Sequence, residues 1–236
     1  MKTYKIAGCT VAYEPKYRLM QEKMEQYAYP LKPGQEADIQ ITLPDPFLEE
    51  KAQNSALTLA ECEYVWAGAI FYRKLLKFGG MLLHASAVEV ENTAYLFSAD
   101  SGVGKSTHVK FWQEWMGKDR AVILNDDKPA VRIEGGECVA WGTPFSGKSP
   151  EHLNRRARIG GICMLERGEE NRIWRIDPRE ALPLLMRQTV WPKQKEEADR
   201  LLDLLEQLLD KVPVYRMACT CSMDAAKTAF ADMRRG

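Results

Sequence analysis

The chain has no apolar run approaching the ~18 residues that a membrane-crossing helix needs, so no membrane partner is expected. It has no excess of either charge: 33 lysines and arginines balance 33 aspartates and glutamates. That balance argues against a basic nucleic-acid binder and against an acidic tail. Histidine is scarce, at three residues, and the six cysteines are scattered. Cys219-x-Cys221 lacks a second Cys/His pair at ligand spacing, so a structural zinc site is not expected. The scatter suits reduced thiols better than a disulfide framework. Internal repeats and low-complexity segments are missing. The opening MKTYKIAGCTVAYEP holds no long apolar core and no small-residue cleavage site, and it does not read as a signal peptide. Together these absences predict a cytoplasmic globular protein.

What is present is an ordinary core-forming mixture, 45% apolar and 28% charged over 236 residues. Residues 3–13 alternate like a strand, and 15–28 suit a short helix. Residues 37–43 read as a second strand stopped by Pro44 and Pro46, and 57–77 as a helix closed by Gly79-Gly80. Residues 1–75 are therefore expected to form a small α/β appendage, and 76–236 a second domain. From Met81 the texture changes. Residues 84–90 and 93–98 form a predicted hairpin about Glu91-Asn92, 105–116 a helix closed by Gly117, and 121–125 a short apolar strand. AVRIE and ECVAW flank Gly135-Gly136 as a further hairpin. Another is expected from 158–166 and 172–176. Asp177-Pro178-Arg179-Glu180 is a helix start, with Asp as cap and Pro at the first turn. A leucine-rich helix covers 201–209, a strand 212–218 and a last helix 223–233.

The chemistry gathers around FSADSGVGKST, residues 97–107. This is G-x-x-x-x-G-K-[ST], the Walker A phosphate-binding loop, with Ala99 at the first position. Phosphates need several backbone N–H donors aimed at one spot, and a strand–turn–helix N-terminus supplies them. Gly102 and Gly104 let the chain wrap closely. Ser101, Gly102, Val103, Gly104, Lys105, Ser106 and Thr107 are the predicted nucleotide-binding residues. Lys105 suits the β- and γ-phosphates, and the Ser106 hydroxyl suits Mg²⁺. Alanine at 99 matters only if that residue needs a positive φ.

The second element is LNDD, residues 124–127, whose first acid lies 21 residues beyond Lys105. That spacing leaves room for one helix and one return strand, so Asp126 and Asp127 are expected beside the loop. One carboxylate at a strand end can hold Mg²⁺, and its neighbour can take a proton from an attacking hydroxyl. The third element is GTPFSGKSP, residues 142–150, followed by Arg155, Arg156 and Arg158. Lys148 or one of these arginines suits charge neutralisation on a transferring phosphoryl group. His84 stands where it can line the site; His108 and His152 receive no role.

HASAVEVENTAYLFSADSGVGKST and ILNDD together resemble the HPr kinase/phosphorylase family, within the wider phosphoenolpyruvate carboxykinase-like P-loop group. The shared order is a histidine strand, a short hairpin, the loop, a helix, and a strand ending in paired aspartates. It covers roughly residues 81–177. Ala99 departs from the family glycine, and GTPFSGKSP stands where the family has a second glycine-rich signature. The resemblance implies a mixed α/β fold: an HPr-kinase-like P-loop core with a mixed sheet and hairpins, carrying the appendage and C-terminal helices. It implies Asp126 as general base and Asp127 as Mg²⁺ ligand; Ser106 as a second Mg²⁺ ligand and Lys105 and Lys148 as catalytic cations are expected from the loops themselves. ATP or another nucleoside triphosphate and Mg²⁺ are the implied cofactors. The implied acceptor is a serine hydroxyl of a protein or peptide, and because family members associate, a homo-oligomer is also implied. Two alternatives stay open from the residues: a nucleotide-binding regulatory or assembly module without transfer, and a small-metabolite kinase. A GTPase is disfavoured because no N-K-x-D motif occurs, and an ABC-type ATPase because no signature motif occurs.

Overall fold

The computed structural model describes residues 1–235. The chain opens as a hairpin, β1 (Lys2–Ile6) and β2 (Cys9–Tyr13), joined by Ala7 and Gly8, both at positive φ. The alternation across residues 3–13 is therefore two strands, not one. Its period of two carries through because a two-residue turn of this kind keeps the strands in register. Next come α1 (Arg18–Met24), a short 3₁₀ turn (Glu25–Tyr27) and the two-residue strand β3 (Ile39–Gln40), which lies parallel to β2. The strand expected over 37–43 shrinks to that pair. Pro44 and Pro46 do more than stop it. They open α2 (Asp45–Gln53), where a proline in the first turn lacks only an N–H that the helix would leave unpaired. In α3 (Leu59–Leu75), Thr58 and Glu61 cap the start reciprocally, and Gly79 at φ 70° ends the 3₁₀ turn that follows it. Glu63 on α3 is fully buried, and it accepts hydrogen bonds from Tyr13 Oη (2.7 Å), Lys16 N (2.6 Å) and Tyr17 N (2.9 Å). One satisfied carboxylate thereby binds the helix to the end of the hairpin.

The remaining elements are β4 (Gly80–Leu82), β5 (Ala85–Val90), β6 (Thr93–Ser98), α4 (Lys105–Met116), β7 (Ala121–Asn125), β8 (Ala130–Glu134), β9 (Glu137–Trp141), β10 (Arg156–Arg167), β11 (Arg172–Ile176), α5 (Pro178–Arg187), α6 (Lys195–Lys211), β12 (Val214–Cys219) and α7 (Met223–Met233). Nine of the strands form one mixed sheet, ordered β4-β8-β9-β10-β6-β5-β7, with β12 also beside β10 and β11 beyond it. The long β10 has two partners on one edge. Its first residues, 156–158, pair with β9, and 162–167 pair in parallel with β12, while β6 runs parallel along the other edge.

The hairpin expected from 158–166 and 172–176 does not form. β11 pairs only with β12, which lies between it and β10. A strand from much later in the chain takes the edge of β10 because its alternate residues bury both faces of the sheet. Val214 joins one apolar cluster, and Tyr215 and Met217 join the other.

The same division runs through every central strand. Ala85, Ala87, Leu96, Ile162 and Met164 face α5 and α6. Val88, Val90, Phe97, Cys163 and Leu165 face α4 and α7. The result is a sheet covered by helices on both sides, which is why these strands read as nearly unbroken apolar runs. A third cluster joins β1, β2 and α3 to Leu82, Ala130 and Phe145. Arg132 on β8 reinforces this junction, donating from Nη1 to Ala7 O (2.6 Å) and from Nη2 to Phe78 O (2.7 Å). Among the described residues, no helix is long and apolar enough to cross a membrane.

Candidate functional site

β6 delivers the chain to the loop at Ser98, and α4 begins at Lys105. Between them Gly102 and Gly104 adopt φ of 82° and 120°, a region that a side chain would disfavour. Ala99 is not among the residues with positive φ. Its methyl is buried with Phe97, Val109 and Trp112, so the loop leaves the strand without needing glycine there. Gly104 caps α4 with no side-chain hydrogen bond, and the first turn holds no acid. The first amides of the helix and its positive dipole end are left for an anion. The Lys105 ammonium is largely buried and donates to Ala99 O (3.1 Å). Burial pushes it below the ordinary lysine value, and Asp127 and Asp126 pull it back up.

A cavity of about 520 Å³ adjoins the loop. Val103, Thr107, Phe111, Leu165, Arg167 and Thr220 line it, and Arg167 Nη2 donates to Gly102 O (2.8 Å). His108 also lies there, its ring 4.4 Å from that of Phe97. Burial pushes its pKa down to about 4, so the ring is neutral at pH 7.

The acids stand at the end of β7, next to β5. Asn125 shapes the turn that presents them. Fully buried, it accepts from the N–H of Asp127 (2.9 Å) and of Lys128 (2.7 Å), and its amide donates to Thr143 O (2.8 Å). Asp126 is buried and accepts from Ser86 Oγ (2.8 Å). Asp127 lies between His84 Nε2, at 3.2 Å, and the Lys128 ammonium. Burial alone would raise the Asp127 pKa; the His84 hydrogen bond and the Lys128 charge outweigh it and hold the carboxyl below its ordinary value.

The loop 142–152 closes over these acids. Gly142 N donates to Arg155 O, and Asp126 N donates to Glu151 O. Gly147 passes so near Asp127 that a β-carbon on it would lie 3.0 Å from the carboxylate oxygen. Its neighbour Lys148 is exposed. The arginines that follow are engaged elsewhere: Arg155 with Glu89, Arg156 with Glu134, while Arg158 lines a small cavity near Phe230. The cations beside Asp127 come from other places, Lys128 on the turn itself and Lys23 on α1. Burial lowers the Lys23 pKa, Asp127 offsets that, and Lys128 adds to it. Lys128 was legible as the residue following the acid pair. Lys23, 123 residues from its partner Ser146, left no local signal.

Among the described residues no group of three or more His, Cys, Asp or Glu side chains is placed to hold a metal. An uncapped helix start, two glycines at positive φ and a buried lysine fit a polyphosphate. Ser106 and the paired acids carry oxygen donors of the kind that Mg²⁺ takes from protein when phosphates provide the others.

No family model matches the chain, and no curated protein matches it. Among solved structures it is similar to the HPr(Ser) kinase/phosphatase from Coxiella burnetii, with 9% identity and a TM-score of 0.38 over 65% of this chain and 95% of that one. A likeness of that degree assigns nothing to this chain.

Proposed function

We propose that the chain is a nucleotide-dependent phosphotransferase that passes the γ-phosphoryl group of Mg²⁺·ATP to a hydroxyl, with serine of a protein or peptide as the favoured acceptor. One observation carries this reading: Ala85 on β5 pairs with Ser98, where β6 enters the phosphate-binding loop, and on its other side donates to Asp127 O (3.0 Å), so the loop and the acid pair emerge side by side. The phosphate-binding loop and the acid pair thus form one site.

The bound nucleotide supplies the electrophilic phosphorus. The amides of Gly102–Ser106 and the Lys105 ammonium hold its phosphates, and the cavity beside Phe111 and Arg167 receives the nucleoside. Asp126 accepts the acceptor's proton at its carboxylate, with Ser86 fixing the orientation of that group. Asp127, kept ionised by His84 and Lys128, joins Ser106 as the protein's share of the Mg²⁺ shell. The HPr-kinase-like order of these motifs, read from sequence, supports the same assignment. Association into a homo-oligomer is part of the reading and is tested by sedimentation.

Calorimetry of ATP binding, with and without Mg²⁺, tests it on the wild type and on Lys105→Ala. Binding strengthened by Mg²⁺ and weakened about 10- to 100-fold in the variant, as loss of charge-assisted hydrogen bonds demands, is the expected result. No binding at millimolar ATP would overturn the reading. A specific observation favours a second one: the Asp127 carboxylate is already closed by His84 and Lys128. Tight ATP binding without γ-phosphoryl transfer even to water would select a nucleotide-binding regulatory module.

A further inference from the structure

Lys23 is the one charged group that the α1 helix buries, at 9% exposure. Its ammonium donates to Ser146 Oγ (2.8 Å) and Ser149 O (3.1 Å), both neutral acceptors. Among the described residues no carboxylate lies within ion-pair distance of it. A buried cation satisfied only by neutral groups is costly unless something else supplies the counter-charge. Substituting an apolar side chain there would be the simpler way to fill the space.

The surroundings are organised around this charge. Lys23 Nζ and Lys128 Nζ both lie against the Tyr64 ring, at 5.7 and 5.9 Å from its centroid. Tyr64 is in turn fixed by the Gly147 N–H, which donates to its hydroxyl (2.7 Å). Two ammonium groups therefore lie against one aromatic ring and near one carboxylate, Asp127, which Lys128 already occupies. The helix carrying Lys23 is clasped to the same loop further on. Gln26 Nε2 donates to His152 O (2.9 Å), and Tyr27 Oη lies 3.1 Å from His152 Nδ1. Lys23 is held in place by the fold on both sides, not left to wander.

We propose that Lys23, Lys128 and the hydroxyl of Ser146 form an oxyanion-binding subsite beside Asp127, distinct from the phosphate-binding loop and completed by the N-terminal 75 residues. The inference deepens the phosphotransferase reading and rests on it for the identity of the neighbouring site. The ligand is a phosphate or carboxylate oxygen. It arrives either as the terminal phosphoryl group of the nucleotide or as an anionic group carried by the acceptor. A charge-assisted hydrogen bond from Lys23 replaces the bond to Ser149 O and supplies the missing counter-charge.

The full chain is titrated in two arms, wild type beside Lys23→Met and Lys23→Arg. The first arm compares Mg²⁺·ATP with Mg²⁺·ADP. The second adds orthophosphate to protein saturated with Mg²⁺·ADP. Loss of about tenfold in ATP affinity with ADP unchanged places the terminal phosphoryl group at Lys23. The same loss confined to orthophosphate places an acceptor anion there. Lys23→Arg keeps most of either affinity, because it keeps the charge. Thermal melts show whether Lys23→Met is folded, and removing an uncompensated buried charge is expected to leave its Tm equal or higher. A folded Lys23→Met that binds in both arms like wild type overturns the subsite. So does equal weakening of ATP and ADP, which marks a general loosening of the site. Orthophosphate is also titrated into nucleotide-free protein: should wild type bind no nucleotide yet take orthophosphate there in a Lys23-dependent way, the phosphotransferase reading falls and the subsite stands.

Discussion

His84 Nε2 lies 3.2 Å from Asp127 Oδ1, and the other ring nitrogen of His84 lies 3.1 Å from the side chain of Gln188. A residue just before β5 thus links the acid at the end of β7 to the end of α5. The hydrogen bond is one of the causes that hold the Asp127 carboxyl low. His84→Ala is expected to raise the Asp127 pKa, leaving Lys128 as its main support. A carboxyl-carbon NMR titration of the two proteins measures this. An unchanged Asp127 midpoint would mean that Lys128 alone keeps the acid ionised.

Asp126 is buried and held by Ser86, beside the phosphate-binding loop. Asp126→Asn preserves shape and removes the proton acceptor. γ-Phosphoryl transfer, to water or to any hydroxyl, is expected to fall about 10²- to 10⁴-fold, the usual worth of a positioned base, with ATP affinity kept. Radiolabelled ATP turnover and calorimetry on the same preparation report the two quantities. Full turnover in the variant would remove Asp126 from the chemistry.

Restoring the glycine of the usual motif brings no benefit here. Ala99 is buried among Phe97, Val109 and Trp112 and has no positive φ to relieve. Ala99→Gly deletes a packed methyl and adds unfolded-state freedom, so about 1–2 kcal/mol of stability is lost. Nucleotide affinity stays the same. Urea melts and an ATP titration check both halves; a rise in affinity would show that the loop is strained.

Two buried histidines make the protein acid-sensitive above the carboxylate range. Burial holds His108 and His152 near a pKa of about 4, against an ordinary value of 6.5. Between those values the unfolded chain binds protons that the folded chain refuses. Stability is therefore fully present above pH 6.5 and falls as pH drops toward 4, by roughly 3 kcal/mol at most for each ring. Asp127, whose folded pKa is depressed, adds its own loss only below the ordinary aspartate value of 3.8. Among the described residues His108 Nε2 has no hydrogen-bond partner, so His108→Leu is expected to flatten part of the slope. Urea midpoints at pH 7, 5.5 and 4.5 read it directly.

Much of this was legible because it is local. The loop 97–107, helix 105–116 and the hairpin about Gly135-Gly136 follow from residues a few positions apart, and the structure has them at those bounds. Pro44 and Pro46 were read as breakers because proline blocks both strands and helix interiors; only the chain's direction afterwards reveals a helix start. The partner of β10 could not be read, since β11 and β12 both pattern as strands and long-range packing chooses between them. Lys148 stood out because it ends a glycine- and serine-rich loop, yet the structure turns it to solvent. The buried ammonium against that loop belongs to Lys23, brought there by tertiary contact.

The double-sided edge of β10 has a consequence for how the protein is made. β12 leaves the ribosome well after β10, and it covers β10 only after residues 214–219 have emerged. Until then the backbone of 162–167 is an unpaired edge, and the side chains of Cys163 and Leu165 lack the cover of α7. A nascent chain stalled in α6 therefore displays a template for strand addition by a second chain. Ribosome-bound intermediates of this length are where chaperone dependence should concentrate.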